Sequence, residues 1–215
     1  MRLPVYFIVA FFALLGAPQL HAQTAASKAD PVLGKDYAVA VNPQATITGD
    51  KIEVLQFFFY PCSHCYKLFP FLVEWEKKKP KDVELVNMPT IFNDNMSPMA
   101  LTYYALESLG ENMRLHDVLY KAWHVKKLEL ETEKLLTDYV VEHGVNRAKF
   151  ARAYNSADTQ AKAEHSRQLA VDYVIRGTPT VIVDGRYMVY GLSPQDTMRV
   201  LDFLIDKVRM ERAGK

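Results

Sequence analysis

The sequence predicts an α/β fold in which a block of helices interrupts a sheet. Apolar runs of strand length occur in two groups, one before residue 90 and one after residue 178. Between the two groups the apolar residues recur at helical spacing. Two groups of strands separated by helices are typical of a sheet with an inserted helical subdomain.

The strands and helices follow from local patterns along the chain. Near-continuous apolar residues predict buried strands, Asp184-Gly185 predicts a two-residue hairpin, and Ser97-Pro98 and Ser193-Pro194 predict helix starts. The predicted strands span residues 37–41, 51–59, 83–88, 179–184 and 186–190. The predicted helices span a segment after Pro61 that Pro70 is expected to kink, then residues 99–109, 115–125, 131–143, 148–154, 158–174 and 195–209.

The N-terminus predicts export from the cytoplasm. Arg2 precedes an uncharged apolar stretch and a plausible cleavage site at Ala22, which indicates a signal peptide over residues 1–22. The predicted organisation after it is a flexible lead-in (23–35), the first part of the α/β domain (36–92), a helical insertion (93–160) and the second part of the domain (161–215). An oxidising compartment such as the periplasm would let a disulfide persist.

The charge balance excludes one class of partner. Without Arg2 the basic residues fall from 26 to 25 and equal the 25 acidic residues. A chain with no excess of positive charge has no electrostatic reason to bind nucleic acid.

The chain contains only two cysteines, in the motif Cys62-Ser63-His64-Cys65 directly after the second predicted strand. A C-x-x-C motif in this position indicates a dithiol that cycles between a reduced and a disulfide form. A structural disulfide is the weaker interpretation. Closing a four-residue loop contributes about 2 kcal/mol, whereas a hundred-residue loop contributes about 4.7 kcal/mol.

The surroundings of the motif favour ionisation of Cys62. At the start of a helix, unpaired backbone N–H groups and the helix dipole stabilise a thiolate. Cys65 lies one turn further on, within disulfide reach. His64 adds a potential positive charge, and residues 54–73 include no Asp or Glu. A thiolate that is stable in the reduced protein makes the disulfide a stronger oxidant.

Two distant motifs resemble those of the DsbA-type thiol:disulfide oxidoreductases. The run from Val54 to Tyr66 is similar to the active-site strand and helix of that family, and residues 176–181 with 184–187 resemble its cis-proline loop and hairpin. The resemblance covers essentially the whole mature chain. It implies a thioredoxin-like fold with an inserted helical subdomain.

The resemblance also implies a role for each matching residue. Cys62 is expected to be the exposed nucleophile, Cys65 its buried partner and His64 the main stabiliser of the Cys62 thiolate. Pro179 is expected to be cis and to face the disulfide, while the Thr178 backbone binds an extended substrate peptide. No bound cofactor is expected, because the dithiol carries the electrons.

The partners implied by the resemblance are unfolded or partly folded exported proteins with free thiols. A membrane reoxidase similar to DsbB would regenerate the disulfide. The protein is expected to act as a monomer in the periplasm.

Two positions depart from the family pattern. Ser63 stands where many members have proline, which could change the redox poise. Gln56 stands where much of the family has a buried glutamate that assists proton movement, and an amide cannot take up a proton near neutral pH. We therefore predict that Gln56 is structural and that any proton relay uses water; stopped-flow rates for Gln56→Glu test this.

Two alternative functions remain open from the sequence. One is the same chemistry run as an isomerase or reductase, and the other is a soft-metal carrier that uses the dithiol as ligands. No second C-x-x-C motif completes a zinc site, so no structural metal is expected. The remaining histidines of the helical block are interpreted as surface or core residues, and three methionines as gap-filling or peptide-contact residues. These are His116, His124, His143 and His165, and Met88, Met96 and Met99.

Overall fold

The computed structural model describes residues 29–214. The predicted signal peptide and residues 23–28 of the predicted lead-in lie outside the described residues. The strands are β1 (Ala38–Val39), β2 (Ile52–Phe58), β3 (Val83–Pro89), β4 (Thr180–Val183) and β5 (Tyr187–Tyr190). The helices are α1 (Ser63–Glu76), α2 (Ser97–Ser108), α3 (Asn112–His124), α4 (Glu133–Glu142), α5 (Arg147–Tyr154), α6 (Ala157–Asp172) and α7 (Pro194–Ala213).

The strands form one mixed sheet in the order β1-β5-β4-β2-β3. β2 and β3 run parallel, with Val54 opposite Leu85, and the other neighbouring strands are antiparallel, with Val54 opposite Val183 across β2 and β4. Every residue of β2 is buried, as expected for a central strand covered on both faces. The chain that leaves β2 leads directly to Cys62.

Helices cover both faces of the sheet. On one face α1 and α7 contribute Leu68 and Leu201 to a core that includes Val54. On the other face α6 contributes Ala170 to a core that includes Leu55. Because side chains alternate along a strand, neighbouring residues of β2 reach both cores. The three layers hold the end of β2 firmly in place.

A third core lies among helices α2 to α5, beyond the end of β2. It contains Leu106, Leu119 and Leu136, and it also includes Phe58 and Tyr60 from the end of β2. The helical insertion is thus attached to the sheet beside the two cysteines. α6 crosses the predicted boundary at residue 160, since its first half packs in the helical core and its second half on the sheet.

Most predicted elements occur close to their predicted positions, although α3 begins at Asn112 and α7 continues to Ala213. Three other differences have a local cause. β1 covers two residues instead of five, since it pairs only with Tyr187 and Met188. Ser97 is the first residue of α2 and not its N-cap. A 3₁₀ turn precedes it (Asp94–Met96), and the side chain of Asn93 caps that turn. Cys62 is the N-cap of α1, one position before the helix that we expected it to begin.

The predicted hairpin between β4 and β5 is confirmed. Asp184 and Gly185 have φ angles of 55° and 67°, the left-handed values that a type I′ turn requires at both central residues. A Cβ atom at position 185 would overlap the carbonyl oxygen of Gln44. Glycine is therefore required there for space as well as for its backbone angle.

The described part of the predicted lead-in contacts the folded domain. Arg199 of α7 donates a hydrogen bond to the carbonyl oxygen of Ala29 (3.1 Å), and Leu33 forms an isolated bridge with Tyr37. Among residues 29–214, no helix is long and apolar enough to cross a membrane.

Candidate active site

The two cysteines lie where β2 ends and α1 begins. The backbone N–H of Cys62 donates to the carbonyl oxygen of Phe59 (3.0 Å), and the Cys62 carbonyl accepts from the N–H of Tyr66 (3.1 Å). The first of these bonds closes the turn through Pro61, and the second starts the helix. Cys62 is half-buried, whereas Cys65 is fully buried one turn into the helix. The two thiols are not bonded to each other in this structure.

The structure lowers the pKa of Cys62 from 9.0 to about 5. The largest cause is a hydrogen bond from the Cys65 thiol. Partial burial opposes the shift, and hydrogen bonds from the Thr178 side chain and from the backbone N–H groups of Cys65 and His64 add to it. Donors at the start of a helix stabilise an anion in this way. Cys62 is therefore ionised at neutral pH.

Cys65 has the opposite environment. Burial raises the pKa of the Cys65 thiol, and its hydrogen bond to Cys62 and the negative charge there raise it further. The reduced pair thus carries one proton at neutral pH, on Cys65. The accessible sulfur is the nucleophile, and the buried sulfur donates to it.

The Thr178–Pro179 loop forms the opposite wall of the site. The Thr178–Pro179 peptide bond is cis, as the resemblance implies. In its thiol form Cys62 Sγ donates to the carbonyl oxygen of Thr178 at 3.2 Å, although the residues are 116 positions apart. Thr180 Oγ1 donates to the carbonyl of Gly177 (2.8 Å) and so fixes the loop at the start of β4. The fold brings together the two motifs that the sequence singled out.

A depression of about 430 Å³ adjoins this wall, lined by His64, Lys67, Leu68, Thr178 and Pro179 among others. His64 and Lys67 are exposed. The structure places the backbone N–H of His64, and not its imidazole, among the groups that lower the Cys62 pKa.

An aromatic cluster from α3 covers the other side of the motif, and the sequence analysis did not place it beside the cysteines. His124 Nε2–H donates to the carbonyl oxygen of Tyr60 (2.8 Å), and the His124 ring stacks on Tyr66 with centroids 4.6 Å apart. The indole of Trp123 stacks on Tyr60 at 6.0 Å. The spacing of these residues along α3 is ordinary for a core helix, so only the fold reveals that they adjoin the cysteines.

His116 and His124 lie in this cluster, whereas His165 is exposed on α6. His116 is buried and its Nδ1 lies 2.9 Å from the Tyr60 hydroxyl. These positions match the interpretation of the histidines as core or surface residues. Among residues 29–214, no group of three or more His, Cys, Asp or Glu side chains is placed to hold a metal ion.

Gln56 is buried in β2, opposite Val181 of β4 and Asn87 of β3. Strand alternation places it on the same face of the sheet as Val54, which α1 covers. It therefore lies beneath the helix that carries the cysteines.

Comparison with known proteins agrees with this geometry. A model of the DSBA-like thioredoxin domain matches residues 72–201, which is more than half of the chain. The thiol:disulfide interchange protein DsbA of Burkholderia cepacia is 36% identical over 188 residues, covering 86% of this chain and 89% of that protein. The DsbA of Bordetella pertussis is 36% identical over 204 residues, covering 93% and 97%. The chain belongs to the DsbA family.

Solved structures support the same assignment. The crystal structure of Pseudomonas aeruginosa DsbA superposes with a TM-score of 0.80 at 32% identity, covering 86% of this chain and 97% of that chain. The Neisseria meningitidis oxidoreductase NmDsbA1 superposes with a TM-score of 0.79 at 30% identity, covering 86% and 100%. The predicted thioredoxin-like fold is confirmed. This DsbA-family chain is a thiol:disulfide oxidoreductase, and no comparison supports a metal carrier.

Proposed function

We propose that this oxidoreductase works as a dithiol oxidase that donates the Cys62–Cys65 disulfide to thiols of exported proteins. The observation that carries the proposal is the contrast between the two sulfurs. Cys62 is accessible with a pKa of about 5, and Cys65 is buried with a raised pKa. A thiolate that the reduced protein stabilises makes its disulfide more oxidising.

The reaction takes two exchanges. A client thiolate attacks Sγ of Cys62, the Cys62–Cys65 bond breaks, and the electron pair stays on Cys65, which takes up a proton. A second client thiolate then attacks the client sulfur of the mixed disulfide and expels Cys62 as a thiolate. The client gains a disulfide, and the enzyme gains the two electrons.

Each predicted site residue has a place in this scheme. Cys62 forms the mixed disulfide, and Cys65 is the buried leaving group. Thr178 and Pro179 hold an extended client segment beside Cys62. His64 contributes its backbone N–H to the Cys62 thiolate, and a further contribution of its exposed imidazole is proposed on the family resemblance alone. We also propose that residues 1–22 are a signal peptide and that the mature protein is a periplasmic monomer. Its partners would be unfolded exported proteins and a membrane reoxidase similar to DsbB.

The reduction potential tests the direction of the reaction. We expect equilibration of the mature protein with glutathione to give a potential well above about −270 mV, the value of thioredoxin. A potential near that value would favour the reductase alternative. An isomerase would instead convert scrambled disulfides faster than it oxidises reduced clients.

Variants test the roles of the residues. Cys65→Ser should accumulate a mixed disulfide with a client, whereas Cys62→Ser should form none, because the remaining sulfur is buried.

His64→Ala should raise the Cys62 pKa and lower the reduction potential, and Lys67→Ala, one turn away, serves as the matched control. Equal effects of the two alanine variants would remove the special role of His64.

A further inference from the structure

A second depression lies on the other side of the Thr178–Pro179 wall from His64. It encloses about 620 Å³, and we call it the β1 groove. Ala38 and Met188 line it on the sheet, and Val39 and Val174 also line it. The His64 depression and the β1 groove share Thr178, Pro179, Tyr190 and Gly191. The proposed peptide wall therefore has a depression on each side.

The β1 groove is apolar and lies at the margin of the core under α6. That core reaches Ala40 after β1 and the partly buried Met188 of β5. Val39, Val41 and Tyr190 around the groove are 52%, 76% and 59% exposed. Several large apolar side chains are thus exposed together beside the Thr178–Pro179 loop, whose Thr178 contacts the Cys62 sulfur, and such exposure is typical of a binding surface.

The backbone of Val174 is strained at the side of this groove. Its φ angle is 56°. At the end of α6, Val174 N–H donates to Val171 (2.9 Å) and Ile175 N–H to Ala170 (2.8 Å). This is the Schellman pattern, whose left-handed position is usually glycine. For a β-branched residue such a conformation is a genuine outlier.

Packing in the core does not account for the valine, because Val174 is 41% exposed. Glycine at position 174 would remove the strain, but the groove would then lack the apolar side chain of the valine. Residues held in unfavourable backbone conformations cluster at binding and switch sites. The strain at Val174 and the apolar surface that it contributes therefore both indicate a role in binding.

The charges around the groove indicate the chemistry of its occupant. Arg176 is exposed at the groove and has no hydrogen bond or ion pair with any described residue. The same holds for the side chains of His64 and Lys67 in the other depression. No Asp or Glu lines either depression. An anionic group would therefore be attracted to these rims and would meet no like charge.

We propose that the β1 groove binds the segment on one side of the reactive cysteine in an unfolded client, and that it selects an apolar side chain accompanied by an acidic one. The inference rests on the proposed function, since the client cysteine must lie at Cys62. A strand bound along Thr178 leaves the wall in two directions, towards the two depressions. At about 3.4 Å per residue, a side chain a few positions from the cysteine reaches the groove.

Val174→Gly tests the proposal in the full mature protein. The probes are reduced peptides with two cysteines. One peptide carries Leu and Glu beside the reactive cysteine, and the other carries Ser and Gln at the same positions. Each peptide is made in two versions, with this residue pair either before or after the reactive cysteine. We expect Val174→Gly to raise the Tm and to lower the oxidation rate constant of the Leu/Glu peptide about tenfold. Only one placement of the pair should be affected, and the Ser/Gln peptide should react as before.

Two further variants separate strain, charge and binding. Lys127 also has a positive φ angle (57°) and lines neither depression, so Lys127→Gly should raise the Tm without changing any rate. Arg176→Gln should lower the rate only for peptides that contain Glu. If Val174→Gly leaves the preference between the peptides unchanged, the groove does not bind clients.

Oxidation of dithiothreitol distinguishes failure of the groove from failure of the proposed function. The variants at Val174, Arg176 and Lys127 should oxidise this small dithiol at the wild-type rate, because it does not reach the groove. If the wild-type protein oxidised neither dithiothreitol nor the peptides, the proposed function itself would be wrong. Self-association that Val174→Gly abolishes, seen by sedimentation, would make the groove a dimer interface and overturn the inference.

Discussion

At the scale of single residues, the chemistry depends on which groups contact two sulfur atoms. The Cys62 sulfur receives hydrogen bonds from Cys65, from Thr178 and from backbone N–H groups. Burial alone would raise its pKa, so these donors outweigh desolvation. For Cys65, desolvation and the interaction with Cys62 raise the pKa more than the hydrogen bonds from Thr178 and from the Phe59 backbone lower it. One helical turn, from position 62 to position 65, separates a nucleophile from an inert thiol.

The pH dependence of Cys62 alkylation follows from this balance. We expect the rate of reaction of the reduced protein with iodoacetamide to fall to half near pH 5, because only the thiolate reacts. The depressed pKa also stabilises the reduced protein above the unfolded-state pKa of about 8.5, and this contribution is lost as the pH falls through about 5. Half-maximal alkylation near pH 8.5 would contradict the site as described.

At the scale of the secondary-structure elements, two identical Ser-Pro dipeptides have different roles. Ser193 Oγ accepts a hydrogen bond from the backbone N–H of Asp196 (3.1 Å), so Ser193 caps α7. Ser97 is the first residue of α2, and its hydroxyl accepts from Arg167 instead (3.0 Å). The capping side chain in this region is that of Asn93, which caps the 3₁₀ turn before α2. The same local signal thus marks a helix start in both places, but its serine is the N-cap only where no turn precedes it.

Ser193→Ala should lower the free energy of unfolding by about 1 kcal/mol, because the N-terminal N–H groups of α7 lose their cap. Ser97→Ala is the matched control and should change it by less than about 0.5 kcal/mol, since it removes only a partly exposed hydrogen bond. Urea denaturation of the two variants measures the difference. Equal effects would mean that Ser193 does not act as a cap.

At the scale of the whole molecule, the helical insertion and the sheet share one buried aromatic junction. Phe58 and Tyr60 at the end of β2 contact His116 of α3 through ring edges, with centroids 5.0 and 5.3 Å apart. Burial lowers the pKa of His116 from 6.5 to about 3. The folded state therefore contains the His116 imidazole in its neutral form.

The junction should make the protein sensitive to acid. Between pH 6.5 and about 3 the unfolded chain protonates His116 and the folded chain does not, so the free energy of unfolding decreases as the pH falls. We expect a loss of about 1–3 kcal/mol between pH 7 and pH 4 that is absent in His116→Phe. Urea denaturation at the two pH values measures it, with His165→Gln as the exposed control. An unchanged loss in His116→Phe would assign the effect to other groups.

The sequence by itself predicted the sheet, the helical insertion, the hairpin and the two motifs of the site. These depend on short-range physics: apolar periodicity, turn residues with positive φ, and the spacing of Cys62 and Cys65 at a helix start. Patterns of this kind are local, so they can be read without knowing the neighbours. The resemblance added the pairing of the dithiol with the Thr178–Pro179 loop, which no local pattern contains.

Only the tertiary structure decided which distant groups surround the sulfurs. The contact between Cys62 and Thr178, the stacking of His124 on Tyr66 and the apolar groove beside Arg176 all join elements far apart in the chain. Such contacts arise from the way layers pack, and many sequence spacings are compatible with them. The strained Val174 belongs here as well, because its valine matters only once the end of α6 is known to lie beside the cysteine site.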